Sequence, residues 1–161
     1  MVAFDVCGQT FGAPIRAVKE TLPPRPVTPL FLVPRLVAGL INLRGEVVAV
    51  LDVEELLDLP RSRTPVDERA IVILRPPASW AGGARNADRP ACGLLVDKLL
   101  GVQTIADGEL RPPPPTLAAE PAQYLSGVAA VGEPVRPLLL LDPERVLSTD
   151  RLRPFRKARA A

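Results

Sequence analysis

Residues 2–7, VAFDVC, alternate apolar and polar positions with the two-residue period of a strand. After Gly8-Gln9-Thr10 the run FGAPI resumes the pattern, so residues 2–15 predict a hairpin. Pro14 is placed to open a short helix over 15–20, IRAVKE, with Ile15 and Val18 on one face. The next stretch, TLPPRPVTPLFLVP, has five prolines in fourteen residues and predicts an extended connector. It leads into GLINLRGEVVAVLD, which predicts a strand over 37–43, a turn at Arg44-Gly45 and a second strand over 46–51. VVAVL is apolar at every position, as suits a strand buried on both faces. Asp52 then has the character of a helix N-cap, with Glu55 three residues on in capping-box position and a short helix, EELL, ended by Pro60. After the polar loop RSRTPVDE a further strand, AIVILR, is expected at 70–75, and PPASWAGGARNADRP (76–90) predicts a mobile loop. Trp80 within that loop is either a contact residue or a ring that pins its own loop to the core.

The second half repeats the grammar of the first. ACGLLVD and LLGVQTI predict a strand pair, ELRPPPPTLAAEPAQ another proline-rich connector, and YLSGVAAV and VRPLLLLD two more strands. The last strand runs into Asp142, Pro143 and Glu144, an acidic cap with proline at the first helical position. AVLDVEELL (49–57) and LLLLDPERVL (138–147) are one device used twice. Two related β subdomains follow, with about nine short strands and each half a small closed barrel. The proline runs, RPPPP at 111–115 above all, read as rigid spacers rather than as ligands for SH3-type modules, because both halves contain them.

Composition narrows this further. A chain of 161 residues is long enough to bury one sizeable core without disulfides or metals. Twenty prolines and eleven glycines interrupt it too often for long helices, and with only 4% aromatic residues the interior falls to Val, Leu, Ile and Ala. The net charge of +2 is uneven: the tail 151–161, RLRPFRKARAA, carries +5, which leaves the other residues at −3. A slightly acidic body does not read as a nucleic-acid surface, and the basic tail from 149 onward is expected to be a flexible terminus. Cys7 and Cys92 have no CxxC or histidine partner for a metal and read as buried small apolar residues, though a disulfide between them remains open. Neither a signal peptide nor an 18-residue apolar run is apparent, so the expected location is cytoplasmic without direct membrane insertion.

Catalytic candidates are few. The chain contains no histidine, which removes the commonest general base, metal ligand and phosphoacceptor. Neither GxxxxGK[ST] nor GxGxxG occurs, so both phosphate-cradling loops are missing. Glu54 and Glu55 are adjacent on a helix and point different ways, which reads as a solvated face plus a cap. Asp52, Asp97 and Asp142 each follow an apolar strand and are assigned to structure. Arg44 is the residue left over. A tight hairpin usually carries Asn-Gly or Asp-Gly at its tip, not Arg-Gly, so the arginine is either incidental surface charge or displayed for a partner.

At this hairpin the chain resembles the CheW-like coupling proteins of bacterial chemosensory systems. The hallmark is a glycine followed by N-L-R-G, an apolar strand and an aspartate: here Gly39, Asn42, Leu43, Arg44, Gly45, VVAVL and Asp52. FDVCGQTFGAPIRAVKE, GLLVDKLLGVQTI and YLSGVAAV match further family segments, so the resemblance covers residues 2–148. It implies a mainly β fold of two intertwined five-stranded SH3-like barrels in one domain, 1–148, followed by a basic tail, 149–161. It implies a scaffold with no enzymatic activity and no cofactor, bridging the cytoplasmic tip of chemoreceptors to a CheA-type histidine kinase. Receptor-facing positions carried over are Val18, Glu20, Gly39, Asn42, Leu43 and Arg44, with Glu20 closing the first helix and pairing with Arg44. Val72 is the one position carried over for kinase contact. Ala49 departs from the family's proline, and the loop 76–90 is longer than usual. These two features motivate an alternative, a divergent adaptor that engages one partner only and limits signalling.

Overall fold

The computed structural model describes residues 1–80 and 89–153. Among the described residues ten strands form two five-stranded sheets. The first contains β1 (Val2–Val6), β2 (Gln9–Ala13), β8 (Lys98–Val102), β9 (Leu125–Val131) and β10 (Arg136–Leu141), in the order β8-β1-β2-β10-β9. The second contains β3 (Val18–Leu22), β4 (Val37–Leu43), β5 (Glu46–Asp52), β6 (Ala70–Leu74) and β7 (Cys92–Val96), in the order β3-β6-β7-β5-β4. Three short helices accompany them: α1 (Val53–Leu56), α2 (Ala119–Ala122) and α3 (Pro143–Ser148). Neighbouring strands are antiparallel except β5–β7 and β2–β10.

The duplication expected from the sequence is present, but its two copies are not the two halves of the chain. β3, connector, β4, β5 and α1 are repeated as β8, connector, β9, β10 and α3. Each connector folds back on the outer strand of its own sheet. Thr28 exchanges two backbone hydrogen bonds of 2.8 Å with Leu40, and Arg111 does the same with Val128 at 2.8 and 2.7 Å. Each approach requires a glycine on the strand. A Cβ on Gly39 would lie against the Thr28 carbonyl oxygen and 2.8 Å from Val27 Cγ1, and one on Gly127 would meet the Arg111 carbonyl oxygen at 2.8 Å. The second sheet is completed by β6 and β7, which follow α1; the first is completed by β1 and β2 from the N-terminus. The chain therefore crosses between sheets twice, and neither half folds as a closed barrel of its own. β3 and β4 are not hydrogen-bonded neighbours, nor are β8 and β9; connectors lie along the outer strands instead.

Several local expectations are corrected. Residues 15–20 do not form a helix: a 3₁₀ turn at Ile15–Ala17 passes directly into β3, and Ile15 is exposed. Without a side-chain cap at Pro14 the turn does not propagate, whereas pairing with β6 satisfies the backbone from Val18 onward and buries Val18 and Leu22. ACGLLVD and LLGVQTI are not a strand pair, because β7 and β8 diverge at Asp97 into different sheets. One residue between strands cannot reverse the chain, and the five buried residues of β7 need neighbours on both sides, which β5 and β6 supply.

VVAVL is not buried on both faces either. Val47 is 62% exposed, while Val48, Val50 and Leu51 are buried. The doubly buried strands are β6 and β7. Along β6, Ile71 and Ile73 enter a cluster with Leu22, Ile41, Leu43, Val48, Val50 and Leu95 inside the second sheet. Val72 and Leu74 face the opposite way, into the main core that joins both sheets through Phe4, Phe11, Leu51, Leu94 and Val96. Phe4 and Phe11 stack there with ring centroids 6.3 Å apart.

Both helix caps form. Asp52 accepts from the Glu54 N–H at 2.9 Å, and Asp142 accepts from those of Glu144 and Arg145. Glu55 does not close a capping box, since the Asp52 N–H donates to the Leu36 carbonyl instead. Trp80 packs against the main core and so pins its loop, while the mobility expected of 76–90 concerns a segment of which 81–88 lie outside the described residues. The C-terminal stretch is docked further than expected. Leu152 is buried in the main core, and the Arg151 guanidinium donates to the carbonyls of Glu55 and Leu56. Residues 154–161 lie outside the described residues.

A candidate partner-binding face around Arg44

The hairpin between β4 and β5 has a two-residue loop, with Leu43 opposite Glu46. Both loop residues take positive φ, +52° at Arg44 and +87° at Gly45, the signature of a type I′ turn. Glycine tolerates this conformation freely; for other residues the left-handed region costs about 1–2 kcal/mol. Asn42 steadies the turn by accepting from the Gly45 N–H at 2.8 Å. The β1–β2 hairpin has the same arrangement: Cys7 and Gly8 at φ +54° and +77°, with Asp5 accepting from the Gly8 N–H at 3.0 Å. Arg44 thus occupies a strained position that asparagine would fill more easily.

The strain holds a guanidinium in the open. The Arg44 side chain is 73% exposed, and its two terminal nitrogens donate to the two carboxylate oxygens of Glu20 at 2.7 and 2.9 Å. This is the bidentate geometry to which a planar guanidinium is suited. The hydrogen bonds from Arg44 hold the Glu20 carboxyl below its ordinary value, against the opposing effect of partial burial, and the same bonds raise Arg44. Glu20 lies on β3, within the strand and not at the end of a helix.

The other sequence-predicted positions divide by exposure. Asn42 is exposed and belongs to the turn. Val18 and Leu43 are buried, at 8% and 6% exposure, and act from beneath the face by packing β3 and β4. Gly39 admits the connector onto β4. Val72, expected to contact the kinase, is instead fully buried at the centre of β6, between Thr21 on β3 and Leu94 on β7, and offers a partner no surface.

Four residues of this face, Lys19, Glu46, Arg89 and Pro90, were not anticipated. A groove of about 270 Å³ beside the turn is lined by Lys19, Leu43, Arg44, Glu46, Arg89 and Pro90. Arg89 Nε donates to Glu46 Oε1 at 3.1 Å. Lys19 and Glu46 flank Glu20 and the Arg-Gly turn in sequence, which was a usable signal. Arg89 arrives from the far end of the β6–β7 connection and carried none.

The remaining titratable cluster is structural. Glu54, expected on a solvated helix face, is buried at 3% exposure and pairs with buried Arg69 at 2.9 Å. Arg69 also lies 3.4 Å from Asp97, and Asp97 accepts from the Cys7 N–H at 2.8 Å. Cys7, Glu54 and Asp97 bring three potential metal-ligating atoms within 4.8 Å of one another, but the Arg69 guanidinium already supplies the cation between the two carboxylates. Desolvation, followed by the nearby Glu54 and Asp97, pushes the Cys7 thiol up to about 12, which disfavours a thiolate ligand or nucleophile. Both cysteines are free.

Fold and site together define a class: a duplicated β scaffold that displays a motif arginine at a hairpin tip. A model of the CheW-like domain family matches residues 1–151, and the chain belongs to that family. It is 27% identical over 149 residues to the chemotaxis protein CheW of Klebsiella aerogenes, covering 92% of this chain and 81% of the relative. It is 30% identical over 131 residues to the chemotaxis protein CheW of Rhizobium meliloti, covering 81% and 77%. The crystal structure of the scaffolding protein TtCheW from Thermoanaerobacter tengcongensis superposes with a TM-score of 0.70 at 21% identity, over 88% of this chain and 82% of that one, and so shares the fold. Among the described residues no helix is long and apolar enough to cross a membrane.

Proposed function

We propose that this protein is a non-enzymatic cytoplasmic adaptor that couples the signalling tips of chemoreceptors to a CheA-type histidine kinase. Membership of the CheW-like family and the chemotaxis role named for its relatives support the adaptor reading. One observation carries the receptor side. The motif arginine is held open in a strained backbone conformation and oriented by Glu20, an arrangement that chain reversal alone does not require. Arg44 and Glu20 form the contact itself; Asn42 and Gly45 shape the turn, and Val18, Leu43 and Gly39 hold the strands beneath it. Kinase contact lies elsewhere on the sheets, and no residue is assigned to it.

The test is a pair of separate binding measurements with the full chain, one against a soluble receptor-tip fragment and one against the kinase regulatory domain. The wild type is expected to bind both. Arg44→Ala is expected to retain its circular dichroism spectrum and its kinase binding while losing the receptor fragment. Normal receptor binding by a folded Arg44→Ala protein defeats the assignment of this face. Absence of kinase binding by the wild type would reduce the protein to a single-partner regulator.

A further inference from the structure

The connector between β3 and β4 presents the most exposed apolar side chains among the described residues. Phe31 is 92% exposed and Leu32 fully so, whereas no other large apolar residue described exceeds 72%. The pair is held in place from both sides. Thr28 is hydrogen-bonded to Leu40 before it, and after it the Val37 N–H donates to the Pro34 carbonyl at 2.9 Å. Leu30 and Val33, which flank the pair, pack against the main core. Leu32 takes φ +59°, a left-handed conformation that glycine or asparagine adopts at lower cost and without exposing an apolar side chain. A bend in the chain therefore calls for neither Phe31 nor Leu32, the same mismatch of residue and position that marks Arg44. Arg35 is exposed close by in sequence, and its guanidinium makes no hydrogen bond or ion pair among the described residues. An aromatic and an aliphatic anchor with an arginine at the rim have the composition of an interaction hot spot. Their complement is a protein pocket with apolar walls and a carboxylate at its edge. The pair also stands apart from the Arg44 face. Residues 29–36 precede Val37, the first residue of β4, and Arg44 follows Leu43, its last. That strand spans about 20 Å, so a segment seated at the Arg44 turn leaves the loop uncovered.

We infer that Phe31 and Leu32, with Arg35 at their rim, anchor the CheA-type kinase by entering an apolar pocket edged by a carboxylate. The inference rests on the adaptor reading given above, which calls for a second partner site away from the Arg44 face. It gives that site its first determinants, on the loop that borders the second sheet. Burial of the two apolar side chains holds the complex together, so their loss falls mainly on the dissociation rate. Arg35, exposed at the rim, acts on the association rate and is screened by salt.

The experiment measures association of the full chain with a CheA-type kinase and, separately, with a soluble receptor-tip fragment. The wild type is compared with Phe31→Ala, Leu32→Asn and Arg35→Glu, with urea denaturation of each. Phe31→Ala is expected to bind the kinase about tenfold more weakly, or worse. Leu32→Asn is expected to lose about fivefold, with a urea midpoint no lower than that of the wild type, because asparagine relaxes the backbone at that position. Arg35→Glu is expected to lose about threefold at about 50 mM salt, shrinking to within about twofold at about 500 mM. All three variants should bind the receptor fragment as the wild type does. If the wild type binds the kinase and Phe31→Ala and Leu32→Asn bind it equally well, the inference fails and the adaptor reading stands. If the wild type does not bind the kinase, the adaptor reading loses its kinase half and the inference falls with it. Kinase binding by Arg35→Glu that matches the wild type at low salt removes the carboxylate from the pocket. Two further outcomes overturn the inference, each with kinase binding untouched in Phe31→Ala. Loss of the receptor fragment gives the loop to the receptor, and loss of a wild-type self-association gives it to a second copy of the chain.

Discussion

Arg44 and Glu20 belong to opposite margins of one sheet, yet their side chains meet at 2.7 and 2.9 Å. β3, which carries Glu20, is first in the order β3-β6-β7-β5-β4, and Arg44 follows the last strand, β4. The pair therefore exists only because the sheet curls until its two margins approach. It joins them at one end, as Thr28 and Leu40 join the connector to β4 farther along. The candidate site is thus a product of sheet closure.

Strain at the tip separates stability from function. Arg44→Asn creates Asn-Gly, the pair favoured in a type I′ turn. Its urea midpoint is expected to equal or exceed that of the wild type, although the ion pair with Glu20 is lost, while receptor binding falls as in Arg44→Ala. Urea denaturation beside a binding assay checks both; a clear loss of stability would mean that the turn is not strained.

The Glu20 carboxyl is expected to titrate below its ordinary range, because Arg44 bonds the ionised form. A depressed folded-state value adds stability that is present above the unfolded value and is lost as pH falls through the folded one. Carbon-detected NMR titration of Glu20 should show the low midpoint in the wild type and its return toward 4.5 in Arg44→Ala.

The buried Arg69–Glu54 pair should behave oppositely to the exposed one. Arg69→Ala strands both Glu54 and Asp97 without their counter-charge and is expected to cost about 3–5 kcal/mol, whereas the double change Arg69→Met with Glu54→Leu, which still leaves Asp97 without its cation, should recover only part of the loss. Chemical denaturation of the two variants decides it. Equal destabilisation by both would show that the pair is worth more than the packing that could replace it.

The Cys7 thiol is expected to resist alkylation at pH 8 in the folded protein and to react once the chain is unfolded, since its value is raised from 9.0 to about 12. A value raised in the folded state means that stability is complete below pH 9 and declines as pH climbs toward 12. Cys7→Ala should flatten that decline in a pH series of thermal melts.

The paired glycines offer a test of the duplication. Gly39→Ala and Gly127→Ala each drive a Cβ into the backbone of a connector, and each is expected to destabilise by about 1–3 kcal/mol. Gly45→Ala would meet no neighbouring atom, so any loss there reflects backbone strain at φ +87° alone.

Much of this was legible along the chain. Alternation and punctuation by proline and glycine gave most of the strands, Asp52 and Asp142 announced their caps, and the repeated strand-and-cap phrase disclosed the duplication, because each of these rests on contacts between near neighbours in sequence. Arg44 stood out because a turn position has few reasons to be arginine. The assignment of β7 and β8 to different sheets was not legible, since two adjacent apolar runs look alike whichever partners they find. Nor was the two-faced burial of β6, which removes Val72 from any surface, or the burial of Glu54, whose counter-charge lies fifteen residues away at Arg69. Arg89 reaches the Arg44 groove across forty-three residues. The sequence by itself determined the local elements and the one charge that did not fit them; only the closure of the sheets decided which distant side chains meet, because long-range pairing depends on where each strand's neighbours lie and not on its own pattern.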